Sequence, residues 1–307
     1  MRSSIGIDIG ATVIKAGIVD AKGSITHEIS MPTPRHEPEY VTINLMAEAI
    51  AELKKIKPSI RSLGIAFAGD VNPDTGFVRN ATNLGWKNFP LTKKLRKKIG
   101  SMNIFIDNDA NCAAWAAYWV MNKKRGPVKN IVCLTLGSGI GGGIVIDGDI
   151  LHGISHTAGE IGHLVVEPNG RKCICGRRGC VEAYTGGINL VKRAQEKSKK
   201  RIMDLTPRKI AEMARRGDKM AIKLWKSYGH YLGRAIANAV NLINPQWIVL
   251  TGGIAKARDL FLPELKSQIK LRSFPPAVSS VRIYVLLRKD LGVLGAGLLS
   301  LEKSFKK

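Results

Sequence analysis

Apolar and polar positions along the chain predict strands that alternate with helices. Residues 5–19 form two short apolar runs around a turn with Gly10, so the chain is predicted to open as a β-hairpin. Further strands are predicted at 63–68, 103–106, 131–136, 143–146, 247–250 and 281–286. Helical spacing is found at 41–55, 112–121, 188–241 and 291–301. This alternation predicts an α/β fold.

The second half of the chain repeats the plan of the first. The strands predicted at 131–136 and 143–146 flank the glycine-rich run 137–143, and an Asp147-Gly148 turn follows. A basic, linker-like stretch at 123–127 marks the domain boundary. We therefore expect an N-terminal α/β domain at 1–122, a C-terminal α/β domain at 123–290, and a helix at 291–307 that returns to the N-terminal domain.

The first hairpin has the composition of a phosphate-binding loop. Glycine lets backbone N–H groups approach a phosphate without a Cβ in the way. Asp8 offers a carboxylate for Mg²⁺ or its waters, Gly10 the tight turn and Thr12 a hydroxyl, and Lys15 follows on the next predicted strand. These four residues are predicted to bind the nucleotide and its metal; the alternative is a purely structural turn.

A second turn of the same kind opens the second half of the chain. Gly137, Ser138 and Gly139 form it, and it leads into a strand rather than a helix, so it is neither a P-loop nor a Rossmann fingerprint. Two such hairpins favour nucleotide binding and indicate an actin-like, hinged architecture. Gly252 and Gly253, directly after a late strand, are predicted adenosine contacts.

Polar residues follow a predicted strand in the run Ile106-Asp-Asn-Asp-Ala-Asn111. In open α/β sheets, ligands bind at the carboxyl ends of strands. A kinase that acts on an alcohol needs a carboxylate to accept the hydroxyl proton, and Asp109 is the predicted general base. The alternative is that Asp107 or Asp109 only caps the helix that follows.

A short loop predicts a zinc site. Of the five cysteines, three lie in this loop and join one histidine in a Cys₃His set typical of structural zinc: His163, Cys173, Cys175 and Cys180. Cys112 and Cys133 lie singly in apolar runs and are expected to be ordinary core residues. Glu160 and Glu182 flank the loop, where a metal could rigidify both as hydrogen-bond acceptors for a polyol.

Taken together, these motifs resemble the ROK family of sugar kinases over nearly the whole chain. Gly159-Glu-Ile-Gly-His163 and Cys173-Ile-Cys-Gly-Arg-Arg-Gly-Cys-Val-Glu182 are similar to the family signature. The resemblance implies an actin-like (ribonuclease H-like) two-domain kinase with a zinc loop, in which Asp109 deprotonates the 6-hydroxyl of a hexose. It also implies ATP with Mg²⁺, one structural Zn²⁺ and sugar contacts from these residues: Gly69, Asn83, Asn108, Asp109, Glu160, His163 and Glu182.

Within the family, Asn83-Leu-Gly-Trp86 is similar to the glucokinase branch, so glucose is the expected substrate. An N-acetylmannosamine or N-acetylglucosamine kinase would share every catalytic residue named above and stays open. A sugar-responsive regulator or binding protein is the alternative from another class. Such regulators carry an added N-terminal helix-turn-helix, whereas the first phosphate hairpin here begins within ten residues of Met1, which favours the kinase.

The chain is strongly basic, with 48 Lys and Arg against 24 Asp and Glu and a net charge of +24. The cations are spread over several helix-like stretches without interleaved aromatic residues, so solvated faces are expected rather than a nucleic-acid partner. The positive field also attracts ATP. No signal peptide or membrane span is predicted, which favours the cytoplasm. The resemblance implies a homodimer or homotetramer.

Overall fold

Two five-stranded sheets form the framework of the fold, and their strands are arranged in the same way.

The computed structural model describes residues 2–35, 37–82, 84–198 and 203–304. The chain divides into two units. One comprises Met1–Pro127, Ile150–Ala158 and Asp290–Lys307, and the other comprises Val128–Asp149 and Gly159–Lys289.

The elements of the chain follow in sequence order. Up to residue 127 they are β1 (Ser3–Ile9), β2 (Val13–Asp20), β3 (Ile25–Pro32), α1 (Glu39–Ile56), β4 (Ser62–Phe67), β5 (Asp70–Asn72), β6 (Phe77–Ala81), β7 (Trp86–Phe89), α2 (Leu91–Ile99), β8 (Asn103–Asn108) and α3 (Asp109–Arg125). Beyond it they are β9 (Ile131–Leu136), β10 (Ile140–Ile146), β11 (Asp149–Ile150), α4 (Glu182–Thr185), α5 (Gly187–Lys197), α6 (Pro207–Arg215), α7 (Lys219–Ile243), β12 (Trp247–Thr251), α8 (Arg258–Arg272), α9 (Pro275–Ser280), β13 (Arg282–Val285) and α10 (Leu291–Lys303).

The sheet of the first unit has the strand order β3-β2-β1-β4-β8. The first three strands pair antiparallel, and β1, β4 and β8 run parallel. The second sheet has the order β11-β10-β9-β12-β13, in which β10 and β9 are antiparallel and β9, β12 and β13 are parallel. Each sheet thus places a hairpin beside parallel strands, which confirms the predicted α/β fold and the duplicated hairpin.

Each unit has its own apolar core. In the first, buried residues of β1, β4 and α1 pack together, among them Ile7, Met46 and Leu63. Helix α10 belongs to this unit and packs against β1, β4 and α3. In the second, the long helix α7 packs on α8, and Trp225, Tyr228 and Phe261 stack at their contact.

Strand β10 corrects the predicted extent of the second glycine loop. It begins at Ile140 rather than at residue 143, so three glycines of the run belong to the strand and the turn is shorter. The reason is close packing: a Cβ on Gly142 would collide with the carbonyl oxygen of Gly159. Glycine inside a strand commonly marks such an approach of another backbone.

Other differences concern short or polar elements. The predicted helical stretch 188–241 is three helices, α5, α6 and α7. Strands β3, β5, β6, β7 and β11 were not predicted; β5, β6 and β7 form a separate antiparallel sheet. Helix α3 begins at Asp109, three residues before its predicted start. Within the described residues, no helix is both long and apolar enough to cross a membrane.

Candidate active site and metal centre

The first glycine turn lies between β1 and β2. Asp8 on β1 pairs across the hairpin with Lys15 on β2. The N–H of Gly10 donates to the carbonyl of Val13 at 3.2 Å, and the Thr33 hydroxyl donates to the carbonyl of Gly10 at 2.8 Å. Thr12 is exposed. The turn is therefore braced from β3 while its outer face stays open to solvent.

Asp8 is the carboxyl group beside this turn, and its pKa is shifted. Burial raises its pKa from 3.8 to about 6, and the nearby Lys15 ammonium opposes the rise. The start of α10 lies directly against this carboxylate, so closely that a Cβ on Gly292 would collide with it. Ionisation of a carboxyl group in this environment is costly, and a bound cation would compensate that cost.

The Asp8 turn and the polar end of β8 lie on one edge of the first sheet. Asp8 on β1 is in register with Ala66 on β4, and Ala66 is in register with Asp107 on β8. Two strand spacings separate the backbones of Asp8 and Asp107 by roughly 10 Å. Asp109 follows as the first residue of α3.

Asn108 caps helix α3. Its side-chain oxygen accepts hydrogen bonds from the N–H groups of Ala110 at 2.8 Å and Asn111 at 3.4 Å. Its side-chain nitrogen donates to the carbonyl of Gly69 at 3.1 Å. Asp109 also accepts from the Ala110 N–H, at 3.0 Å. The cap of α3 is therefore Asn108, and not Asp107 or Asp109 as in the alternative above. Asn108 also holds the loop at Gly69. Asn83, the other predicted sugar contact of this unit, lies outside the described residues.

The second glycine turn lies between β9 and β10. The N–H of Gly137 donates to the carbonyl of Gly139 at 3.1 Å, and the carbonyls of Gly137 and Ser138 accept from Gly187 and Ile188 at 2.9 and 3.1 Å. The N–H of Ile140 donates to the carboxylate of Glu182 at 2.8 Å. The turn is thus fixed by the start of α5 and by Glu182, a predicted sugar contact that touches the turn itself.

A cavity of about 540 Å³ opens beside this turn. Gly137, Ser138 and Gly253 line it; Gly252 lies next to it with φ +93°, where glycine is needed because a Cβ would collide with the Leu136 carbonyl. The remaining walls include an apolar set and three cations, namely Ile188, Val191, Leu205, Trp225, Ile254, Arg208, Arg215 and Lys256. No local pattern marked these wall residues. Most come from α5, α6 and α7, which helical spacing could not distinguish, and Leu205, Ile254 and Lys256 come from the segments before α6 and after β12.

The four predicted zinc ligands meet at one point. The donor atoms of His163, Cys173, Cys175 and Cys180 all lie within 4.8 Å of one another. The Sγ atoms of Cys175 and Cys180 are 3.6 Å apart, and Cys173 Sγ is 3.7 Å from His163 Nδ1. Tetrahedral zinc with Zn–S bonds of about 2.3 Å places its ligands roughly 3.8 Å apart. A disulfide needs about 2.05 Å, so these residues fit a metal ion and not a bridge.

Backbone hydrogen bonds shape the loop that carries these ligands. The N–H of Cys173 donates to the carbonyl of Arg177 at 2.8 Å, and the N–H of Val181 donates to Leu164 at 2.9 Å. Gly179 has φ +81° and lies on the carbonyl of Glu167, so no side chain fits there. The ligand loop is therefore held as a tight double turn beside α4.

His163 presents different nitrogens to two neighbours. Its Nδ1 faces Cys173 and the metal position, whereas its Nε2 lies 3.9 Å from a carboxylate oxygen of Glu160. If Nδ1 holds a metal, Nε2 carries the proton and can donate. Glu160 is exposed, so this pair faces solvent next to the metal position.

The repeated sheet plan, with a glycine turn in each unit, defines an actin-like (ribonuclease H-like) two-domain α/β protein. The ROK family model matches residues 4–303, and a glucokinase from Halalkalibacterium halodurans is 34% identical over 96% of this chain and 94% of its own. An N-acetylmannosamine kinase from Shigella boydii is 32% identical over 97% of this chain and 98% of its own. The crystal structure of a ROK family glucokinase from Streptomyces griseus, in complex with glucose and AMPPNP, superposes with a TM-score of 0.79 at 28% identity; the match covers 98% of this chain and 100% of that chain. The chain belongs to the ROK family, and both the predicted family and the predicted fold are confirmed.

Proposed function

We propose that the protein phosphorylates a hexose, most specifically glucose, at its 6-hydroxyl with ATP and Mg²⁺. The observation that carries this proposal is the shared edge of the first sheet. Asp8, near the end of β1, and Asp109, directly after β8, lie at the same end of one sheet. A metal-binding carboxylate and a base are the two acidic groups that phosphoryl transfer to an alcohol requires.

Asp109 is the proposed general base. It accepts the proton of the sugar 6-hydroxyl as the oxygen attacks the γ-phosphorus, and ADP leaves with the electron pair of the broken P–O bond. Asn108 fixes the helix start that carries this base and is itself a proposed sugar contact, together with Gly69. Asp8 would hold Mg²⁺ directly or through its waters, and the ion would supply positive charge beside the phosphates. Gly10, Thr12 and Lys15 complete this proposed phosphate site.

The adenosine of ATP is proposed to enter the cavity beside the second glycine turn. Its apolar walls suit the faces of a purine, and Gly137 and Ser138 of the turn line one end. There the N–H groups of Ser138 and Gly139 are proposed to bind the phosphates, since that of Gly137 is bonded within the turn. Gly252 and Gly253 border the same cavity. Three cations lie on its walls. Arg208 is paired with Glu212 and Arg215 with Asp259, and Lys256 adds positive charge where a triphosphate must be attracted.

His163, Cys173, Cys175 and Cys180 are proposed to hold one structural Zn²⁺. The four donor atoms lie within 4.8 Å of one another and would complete the coordination of the ion, so no position would be left for substrate. When bound, the ion supplies rigidity rather than Lewis acidity. It would fix His163 so that Nε2, and the neighbouring Glu160, can bond sugar hydroxyls; Glu182 is the third proposed contact of this unit.

The second candidate is phosphorylation of an N-acetylhexosamine. The N-acetylmannosamine kinase relative favours it, because its identity to this chain, 32%, is almost as high as the 34% of the glucokinase. Glucose remains the first candidate because the relative with the higher identity is a glucokinase. We further propose that the enzyme acts in the cytoplasm as a homodimer or homotetramer and without a nucleic-acid partner.

The substrate is tested by ADP release from ATP with glucose, mannose, fructose, N-acetylglucosamine and N-acetylmannosamine at equal concentrations. We expect the largest kcat/KM with glucose. A larger value with either N-acetylhexosamine would replace glucose as the substrate and keep the kinase, whereas absence of sugar-dependent ADP release from zinc-loaded, folded protein would contradict the proposed reaction.

A further inference from the structure

Asp107 is a buried carboxylate two residues before the proposed base. Its side chain has 0% exposure. One oxygen accepts from the N–H of Asn108 at 2.8 Å and from the side chain of Asn111 at 2.9 Å. Both donors belong to the cap and first turn of α3. A buried carboxylate is costly unless each oxygen has a hydrogen-bond donor, so the second oxygen of Asp107 also needs one.

His152 supplies that donor. Its Nε2 lies 2.7 Å from the second oxygen of Asp107, and since a carboxylate only accepts, the ring nitrogen donates. His152 lies in the stretch Ile150–Ala158. Among the described residues, this is the only stretch that belongs to the first unit although the segments before and after it in sequence belong to the second. Nothing in the sequence around His152 indicates this contact with a residue 45 positions earlier.

The stretch that carries His152 is held at two further points. Arg79, paired with Asp70, donates to the carbonyl of Ser155 at 2.7 Å. His156 lies with its Nε2 3.4 Å from a carboxylate oxygen of Asp74. These contacts bring the stretch to the unit, but of its two histidines only His152 reaches the strand end that leads into Asp109. Its ring is 22% exposed, so it lies at the edge of the unit rather than in its core.

We propose that His152 is a positioning residue for the phosphoryl transfer, acting through Asp107 on the direction of Asn108 and Asp109. The inference rests on the proposed role of Asp109. Without the His152 donor, one oxygen of Asp107 is buried and unpaired, and it gains a partner only if the carboxylate rotates or takes up a proton. Either change weakens the bonds to Asn108 and Asn111 and loosens the first turn of α3.

Three substitutions separate the hydrogen bond from the bulk of the ring. His152→Phe keeps a ring without a donor, and His152→Gln keeps a donor of similar reach. His156→Asn is the control for packing of the stretch, because the ring of His156 lies edge-on to that of His152 with centroids 6.0 Å apart but does not contact Asp107. Asn tolerates the left-handed backbone found there (φ 61°). We expect His152→Phe to lower kcat about 10- to 100-fold, the cost of slight misplacement of a catalytic group. The KM for ATP should stay unchanged, His152→Gln should recover most of kcat, and His156→Asn should remain near wild type.

A double-mutant cycle tests whether the effect passes through Asp107. If it does, Asp107→Asn combined with His152→Phe lowers kcat no further than the more damaging single substitution. Full additivity, a His152→Phe enzyme within twofold of wild type, or a His152→Gln enzyme no better than His152→Phe would overturn the proposal. Sugar affinity, measured by calorimetry, is the second readout, since a misdirected Asn108 binds sugar more weakly. An inactive wild type would count against the kinase assignment, and the affinities of the same variants would still decide the role of His152.

Discussion

The carboxylate of Glu182 accepts a hydrogen bond from the backbone N–H of Ile140 at 2.8 Å. Glu182 stands two residues after the zinc-loop residue Cys180, and Ile140 directly follows the second glycine turn. The proposed metal centre and the proposed phosphate turn are therefore joined by one charge-assisted bond, a kind that is worth about 1.5–3 kcal/mol when one partner is ionised.

Removal of this bond should weaken ATP binding. Glu182→Ala takes away the acceptor, so we expect the KM for ATP to rise about tenfold, which corresponds to about 1.4 kcal/mol. Glu182→Gln keeps an acceptor oxygen and should raise it less. Glu160→Ala is the control, because Glu160 lies on the other side of the zinc loop next to His163; it should weaken sugar binding alone. Equal KM values for ATP in wild type and Glu182→Ala would contradict the link.

Loss of one zinc ligand should release the metal. Cys175→Ser replaces a thiolate ligand by a poor one, so zinc per chain, measured by mass spectrometry of the metal, should fall from about one to near zero. The unfolding temperature should fall by about 5–10 °C, because the loop loses its cross-link. Cys133→Ala, in buried β9, should keep its zinc although it also loses a thiol. Stoichiometric zinc in Cys175→Ser would argue against this ligand set.

Asp8 should make stability depend on pH in the direction opposite to a salt-bridged carboxylate. Its pKa is raised from 3.8 to about 6, so the folded state holds the proton more tightly than the unfolded chain. The stabilisation is fully present below pH 4 and is lost as the pH rises through about 6. At pH 8 the free energy of unfolding of Asp8→Asn should therefore exceed that of wild type by up to about 3 kcal/mol, although the variant loses turnover.

Chemical denaturation at pH 8 and pH 4.5 measures this effect. The advantage of Asp8→Asn should shrink at the lower pH, where Asp8 is already protonated in the folded protein. An Asp8→Asn protein less stable than wild type at pH 8 would mean that the carboxylate is paired rather than strained by burial. Such a trade of stability for activity is expected where a site buries a charge that only the ligand compensates.

The elements that sequence could predict are those with a local signal. Apolar runs around glycine turns predicted both hairpins. The Cys-x-Cys spacing predicted the cysteines that meet at the proposed metal position, since loop residues this close in sequence must also be close in space. Strands β5, β6 and β7 have three to five residues each, with Asp or Asn in each, so no apolar period marks them. The wall of the cavity beside the second glycine turn and the bond from His152 to Asp107 depend on tertiary packing, which no local pattern encodes.

Asp109 itself should be dispensable for folding. Asn108 caps α3 and is untouched by Asp109→Asn, so the unfolding temperature should stay within about 2 °C of wild type. Turnover should fall about 10²- to 10⁴-fold, the usual contribution of a positioned base. A variant that unfolds several degrees lower would show that the carboxylate is needed for the helix start.

The most direct test of the account is to identify the product with NMR. Wild-type protein, incubated with ATP, Mg²⁺ and glucose labelled with ¹³C, should give a phosphorus-coupled signal at carbon 6, and Asp109→Asn should give almost none under the same conditions. A phosphate on another carbon would contradict the proposed geometry of attack. An Asp109→Asn protein that forms the 6-phosphate at the wild-type rate would contradict the central claim that Asp109 is the base.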